Sequence, residues 1–480
     1  MRRLAETLER AHLVDRVGAG RWTMHDLLRD YARERAAAEL AAGDRDAALA
    51  SVYAHYLTGA VTASATVFDA GPADPEAVAR ARAWLDLERP NLVAAVLAGG
   101  GATLGPAVEL GRVVQRYLQV GYHVADSLAV NGHLLDLATH GDDPAAQAAA
   151  LFELGTARGR DERYLESIDD LRRAMRLYER VGDPIGAARA LGSIGSNEFQ
   201  LGRYDAALAH KREALRAFRA AGHRLGEARE LSNIGRIHWL RGRYRLATQC
   251  YELAGGIYTD LGDRVGQGRN LLDLAEVHQR HRRYEQARDC HDRARRLLHD
   301  VGDVTAEAVA IAGLGRTDAE CGLDREATAQ LRQALRMFEG VADRLGEAEA
   351  RIALGDAHLL AGRAAEALTE HRRALAIAAD IGERRLEAEA LNGVGRALRP
   401  ERPAEAAGLH RKALLIAREL GEPDRVAQAL DGLGAACAAL GDEATAARYR
   451  RDALAGFQAL GVPAADQPPP AFTRVAAPAS

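Results

Sequence analysis

The feature that most constrains this chain is a period of forty residues. Gly155, Gly195, Gly235, Ala275, Gly315, Gly355 and Gly395 stand forty apart, and Gly434 follows at thirty-nine. A second column of small residues runs Ala174, Ala214, Ala254, Ala294, Ala334, Ala374, Ala413 and Ala453. A third runs Gly182, Gly222, Gly262, Gly302, Ala342, Gly382, Gly421 and Gly461. Eight units from about Asp143 to Gly461 therefore repeat one supersecondary motif. The single missing residue falls where Leu398-Arg-Pro-Glu-Arg-Pro403 replaces the usual Gly-Arg-Tyr turn.

Each unit reads as two helices. In the second complete one, Asp183 is an N-cap and Pro184 suits the first helical position. Apolar and small residues then recur at helical spacing from Ile185 to Leu201, and Gly202-Arg203 breaks the run. The second helix spans Tyr204 to Ala221, and Gly222 ends it. Small residues recur where two helix backbones must approach closely, because a leucine there would push the axes beyond the usual ~8–10 Å. One helix pair cannot bury its apolar face alone, so the pairs are expected to stack into a solenoid with a groove. Hydrophobic residues make up 48 % of the chain, enough for such a core.

These residues resemble the tetratricopeptide repeat, whose signature orders a small residue in helix A, a Gly-x-Tyr turn and two small residues in helix B. Gly235, Gly242-Arg243-Tyr244, Ala247 and Ala254 follow that order. The forty-residue unit is longer than the family's usual thirty-four. The resemblance covers about two thirds of the chain and implies an all-α superhelical solenoid with helix A on the concave face.

The first 140 residues do not follow the ruler. A helix is expected from Arg2 to Ala11, a hairpin around Gly18-Ala-Gly20, and a helix from His25 to Ala42. This is the tail half of a winged helix, so residues 1–42 read as a partial winged-helix cap. Residues 43–140 read as a helical linker with degenerate helix pairs, 141–461 as eight repeats and 462–480 as a disordered Pro/Ala-rich tail. The incomplete cap is expected to leave an apolar patch near Leu8, Leu13 and Trp22.

Met24-His-Asp-Leu-Leu-Arg-Asp-Tyr-Ala32 resembles the segment that ends the nucleotide-binding module of NB-ARC (STAND-class) ATPases, and Trp84-Leu-Asp-Leu-Glu-Arg-Pro-Asn-Leu92 resembles their linker. Actinobacterial transcription regulators of that class carry such a module, a helical linker and tetratricopeptide repeats in this order. The resemblance spans the chain but only the family's C-terminal part. In the family the residue matching His25 touches a nucleotide phosphate. That chemistry needs a phosphate-cradling loop ending in Gly-Lys-Ser/Thr. The two lysines here, Lys211 and Lys412, both fall inside repeat helices, so His25 is expected to be structural and no cofactor is expected.

The groove holds the candidate binding residues. Arg229, Ser232, Arg236 and Trp239 share one face of a helix A. Arg189, Arg229 and Arg269 form a column down the stack, and Arg236, Arg316 and Arg396 form another, interrupted by Glu276 and Asp356. Glu349 and Glu389 replace arginine later, so the early groove reads as basic and the later groove as acidic. Arginine clusters favour carboxylates and phosphates through bidentate bonds. The alternative is a solvated charged face with no ligand. His238, His278 and His358 share one position, and His291, His371 and His410 another, shared with Lys211, Tyr251 and Leu331. These columns read as packing positions and not as a metal site. Cys250 and Cys290 share a position on neighbouring helices about 10 Å apart, beyond disulfide reach. No catalytic motif is present, and a charge balance of 64 Lys plus Arg against 68 Asp plus Glu excludes a generally basic nucleic-acid binder. Aromatic residues, at 5 %, are too few for base-stacking platforms.

The chain is therefore expected to be a non-enzymatic, cytoplasmic interaction scaffold. Its partner is a protein or peptide with an acidic segment, with no direct nucleic acid or membrane. The family resemblance implies the sensing arm of a STAND-type transcription regulator, with an ATPase supplied by a partner or a missing N-terminal half. Two other readings stay open: a stand-alone receptor for a short peptide or small metabolite, and a truncated form of a full NB-ARC regulator.

Overall fold

The computed structural model describes residues 2–18, 21–68, 75–100, 103–121 and 123–460. The Pro/Ala-rich tail lies outside the described residues. Two compact units divide the chain, Met1–Leu177 and Tyr178–Ser480.

The first unit opens with α1 (Arg2–Arg10), an antiparallel hairpin of β1 (Asp15–Gly18) and β2 (Arg21–Thr23), and α2 (Asp26–Glu39). The hairpin pairs Asp15 with Thr23 and Arg16 with Trp22. His25 caps α2, its Nδ1 accepting the Leu27 amide at 3.4 Å. Of the residues expected in the apolar patch, Leu13 is exposed and Leu8 and Trp22 are half-buried; Leu4, Val17, Leu27 and Tyr31 are exposed as well. Trp22 is half-buried: its indole donates to Glu9 at 2.9 Å and Arg16 lies over its ring.

Four helices follow: α3 (Ala42–Phe68), α4 (Pro75–Leu97), α5 (Leu104–Val120) and α6 (Val124–His140). Tyr53, Leu85, Leu92, Val96, Leu110 and Val114 form their common core. The Trp84–Leu92 segment lies in α4, where Leu85 and Leu92 are fully buried and Trp84 fills the space over Gly59. The unit ends in the first repeat, α7 (Pro144–Arg160) and the start of α8 (Tyr164–Val181).

The second unit is a stack of seven A/B helix pairs. These are α9 (Pro184–Gln200) with α10 (Tyr204–Ala220), α11 (Arg224–Leu240) with α12 (Tyr244–Asp260), and α13 (Arg264–Arg280) with α14 (Tyr284–Asp300). Next come α15 (Val304–Glu320) with α16 (Asp324–Gly340), and α17 (Arg344–Leu360) with α18 (Ala364–Asp380). The last are α19 (Arg384–Leu398) with α20 (Pro403–Glu419), and α21 (Pro423–Ala439) with α22 (Glu443–Ala459). The fold is a tetratricopeptide-type helical solenoid.

The same short-range devices recur at each junction. Gly222 adopts φ +66°, which lets the His223 amide reach back to the Phe218 carbonyl at 2.9 Å. This left-handed turn closes the last carbonyls of helix B. The next residue caps the following helix A: Asp183, Asp263, Asp303 and Asp343 each accept the amide three residues on, at 2.8–3.1 Å. In one repeat Ala342 holds the left-handed position, at φ +55°. A Cβ in that conformation costs about 1 kcal/mol that glycine avoids. Ala342→Gly is expected to raise local stability by about that amount, seen as stronger hydrogen-exchange protection of peptides from α16 and α17; unchanged or weaker protection contradicts the strain.

Consecutive A helices approach one another more closely than consecutive B helices do. The A helices therefore line the inner, concave side of this unit, and the B helices fan out on the convex side.

Candidate functional site

The inner face is built from the A helices, and their forty-residue spacing sets which side chains meet. Arg189 (α9), Arg229 (α11) and Arg269 (α13) are all exposed, one per layer. Arg269 Nη2 pairs with the Asp303 carboxylate at 2.9 Å. Two turns further along α11, the Arg236 guanidinium lies over the Phe199 ring, 5.5 Å from its centroid, and donates to Asn233 Oδ1 at 3.2 Å. Trp239 is half-buried at the end of the same helix. Its indole Nε1 is enclosed without a hydrogen-bond partner.

The column that begins at Arg236 alternates in sign, and the alternation pairs it. Arg316 forms an ion pair with Glu276 one layer back, and Arg396 pairs with Asp356 at 2.5 Å. Arg385 pairs with Glu349 at 2.7 Å, and Arg425 with Glu389 at 2.9 Å. Arg316 is thus half of a cross-layer ion pair, whereas Arg236 keeps its charge over an aromatic face. The crowded inner wall moves several acids. Burial pushes the Asp273 carboxyl up to about 7, with Arg236 opposing and Glu276 adding to the shift. Burial acts on Asp356 too, but Arg396 and His371 outweigh it and hold that carboxylate down to about 2.

Behind this face lies a buried polar column that the sequence shows only as unusual residue types. Lys211, one of two lysines in the chain, is 3 % exposed. Its Nζ lies 2.8 Å from Ser196 Oγ and 3.2 Å from Glu230 Oε2. Burial lowers its pKa and the Glu230 carboxylate partly restores it. His371 and His410 occupy equivalent sites and are fully buried, each wedged between two glycines: Gly355 and Gly393, and Gly395 and Gly432. His291 packs against Gly313, and neither of its ring nitrogens has a partner. His238 and His358 are buried and His278 half-buried, at the ends of their A helices. Among the described residues no three His, Cys, Asp or Glu side chains converge to hold a metal ion, and all four cysteines are free thiols. The buried Lys211–Glu230 pair was missed by sequence reasoning. The signal available was a lysine in a column filled elsewhere by Leu, Tyr and His and, in the last repeat, by Arg450.

A tetratricopeptide repeat model matches residues 146–220 and 186–260, so the chain carries tetratricopeptide repeats. No curated protein matches in sequence. Among solved structures, a Rap protein complexed with Competence and Sporulation Factor superposes with a TM-score of 0.57 at 13 % identity, over 74 % of this chain and 98 % of that one. The Rap conjugation gene regulator of plasmid pLS20, in complex with the Phr* peptide, gives 0.52 at 13 % identity, over 71 % and 96 %. At these identities the likeness is one of fold. A STAND protein with a tetratricopeptide repeat sensor from Pyrococcus horikoshii gives 0.49 at 12 % identity, over 73 % of this chain and 53 % of that one, too distant to extend the STAND resemblance.

Proposed function

We propose that this chain is a non-enzymatic protein-interaction scaffold whose inner face takes a peptide or partner segment with an acidic portion. The observation that carries this reading is the row of exposed guanidinium groups at Arg189, Arg229 and Arg269 beside the aromatic-backed Arg236. Guanidinium groups on a wall of fixed helices match carboxylates at little entropic cost. Trp239, half-buried at the end of the same helix, adds an apolar edge beside the arginines. Both Rap structures were solved with a peptide or factor, which favours a peptide over a small metabolite.

In the wider reading the chain is the sensing arm of a STAND-type transcription regulator working in the cytoplasm, with the ATPase output supplied by another chain or segment. That part rests on the sequence segments Met24–Ala32 and Trp84–Leu92. Among the described residues no helix is long and apolar enough to cross a membrane. Within residues 1–42 the helix, hairpin and helix fit a partial winged-helix cap.

The test is partner capture from the protein's own cells with the wild-type chain and with Arg189, Arg229 and Arg269 all changed to Glu. The reversed wall is expected to weaken capture by about tenfold or more, and more so at low salt. Equal capture by both forms rejects the early groove as the site.

A further inference from the structure

The second unit contains contacts that stacking cannot explain. Each repeat of a solenoid touches its sequence neighbours, so side chains on the inner wall meet at separations near forty, as Glu276 and Arg316 do. Arg280, at the end of α13, instead forms an ion pair with Asp424, at the start of α21. Its Nε also donates to the Tyr244 hydroxyl at 3.2 Å. Leu460, just beyond α22, lies on the Gly242 turn between α11 and α12. A Cβ on Gly242 would stand 2.8 Å from Leu460 Cδ2 and 3.1 Å from its carbonyl oxygen. Tyr244, Tyr251 and Val277 share one apolar cluster with Leu430, Phe457 and Leu460, and Trp239 and Leu274 pack against it. Arg425, beside Asp424, acts electrostatically on Glu276. The inner wall thus curves until the last pair meets the pairs of α11–α14.

We infer that this meeting is a latch: it closes the inner channel over Trp239 in the partner-free protein, and a partner held by the exposed arginines reaches Trp239 after it opens. The inference rests on the proposed groove function for what the latch admits, but its existence does not. The closing contact is small beside the helix faces buried between neighbouring pairs. It consists of the largely buried Arg280–Asp424 ion pair and one apolar cluster in which Tyr244, Tyr251 and Val277 meet Leu430, Phe457 and Leu460, with the Trp239 edge against it. Neighbouring repeats bury a whole stripe of small and apolar residues along their helices. Among the described residues no helices of distant repeats pack along their lengths, so a small rotation at each of the intervening repeats separates the ends without breaking any helix. Trp239 links the two roles, since it packs against the latch cluster and also ends the α11 face that carries Arg229 and Arg236.

The test needs no ligand. Spin labels at Arg245 and Gln458, both exposed, flank the contact in a full-length chain whose four native cysteines are replaced. Pulsed electron resonance is expected to give one short distance. Arg280→Glu with Leu460→Glu should abolish that short population with helical circular dichroism unchanged. Arg280→Glu alone should thin the short population, and adding Asp424→Arg to it should restore it, because the swapped pair re-forms. A short distance that survives the first variant, or is missing from the parent, overturns the latch. Acrylamide quenching of Trp239, with Trp22 and Trp84 changed to Phe, reads access to the channel. It should rise in the opened variant; quenching that stays constant while the ends separate overturns the gating role. Failure here leaves the arginine-wall test untouched, and failure of that test leaves the latch untouched.

Discussion

Replacing Glu230 by Gln is expected to loosen the repeats around α9–α11 by about 3–5 kcal/mol. The substitution keeps the shape of the side chain and removes its charge. It leaves the Lys211 ammonium, 3 % exposed, with neutral acceptors alone, Ser196 Oγ and the new amide oxygen. An uncompensated buried charge costs more than the pair itself contributed, because both groups left water when the fold formed. The chain carries its own control for the alternative. Three repeats further along the stack, Leu331 stands at the position equivalent to Lys211 and Ala350 at the position equivalent to Glu230. Both are buried. Lys211→Leu with Glu230→Ala should therefore recover most of the loss. A repeat array does not unfold in one step, so the reading should be local. Hydrogen exchange of peptides from α9, α10 and α11 gives it. If Glu230→Gln leaves their protection at the wild-type level, the pair carries no net charge burden and the account of this column is wrong.

The second large effect is acid sensitivity that one substitution removes in part. Burial pushes the His291 imidazole down to about 4, with Glu276 opposing the shift and Arg316 adding to it. Burial pushes His410 down to about 3, with Arg396 and Arg399 adding to it. Both rings are therefore neutral in the fold and take up a proton near pH 6.5 once the chain unfolds. Above that pH they do not affect the balance. Below it the unfolded chain binds protons that the fold refuses, so stability is lost as pH falls through about 6.5 to about 4 for His291 and about 3 for His410. Raised acids such as Asp273 contribute a slope of the opposite sign, so the absolute profile mixes the two. The difference between wild type and His291→Leu isolates one ring. Leucine already fills the equivalent site at Leu331, and His291 gives up no hydrogen bond, since neither ring nitrogen has a partner. The variant should be at least as stable at pH 7 and gain about 3 kcal/mol on wild type by pH 4. Hydrogen exchange of peptides from α13, α14 and α15, compared between the two proteins at each pH, measures it. Parallel profiles for the two proteins would mean that His291 is hydrated or partnered in solution.

The helical elements were legible before any coordinates. A fixed period, a left-handed glycine, an aspartate cap and an apolar stripe are all short-range devices, and each recurs with the unit. The Asp183 cap, the Gly222 turn and the helix that begins at Tyr204 lie where the sequence places them. The residues of the candidate wall were legible as columns, because a repeat puts equivalent positions on one face. Their state was not. Arg236 and Arg316 belong to the same column, yet one lies over Phe199 and the other is tied to Glu276. Which of the two happens depends on a side chain one layer away and on the rotation between layers.

What the sequence by itself determined is the unit and its stacking, since the energy of helix pairs and turns is set within about forty residues. What only the tertiary structure decided is the curvature, and with it every contact made across the channel. Arg280 finding Asp424, and Leu460 seating on Gly242, depend on small rotations summed over several repeats. No local pattern records that sum, because each junction adds only a few degrees from the fit of its own side chains.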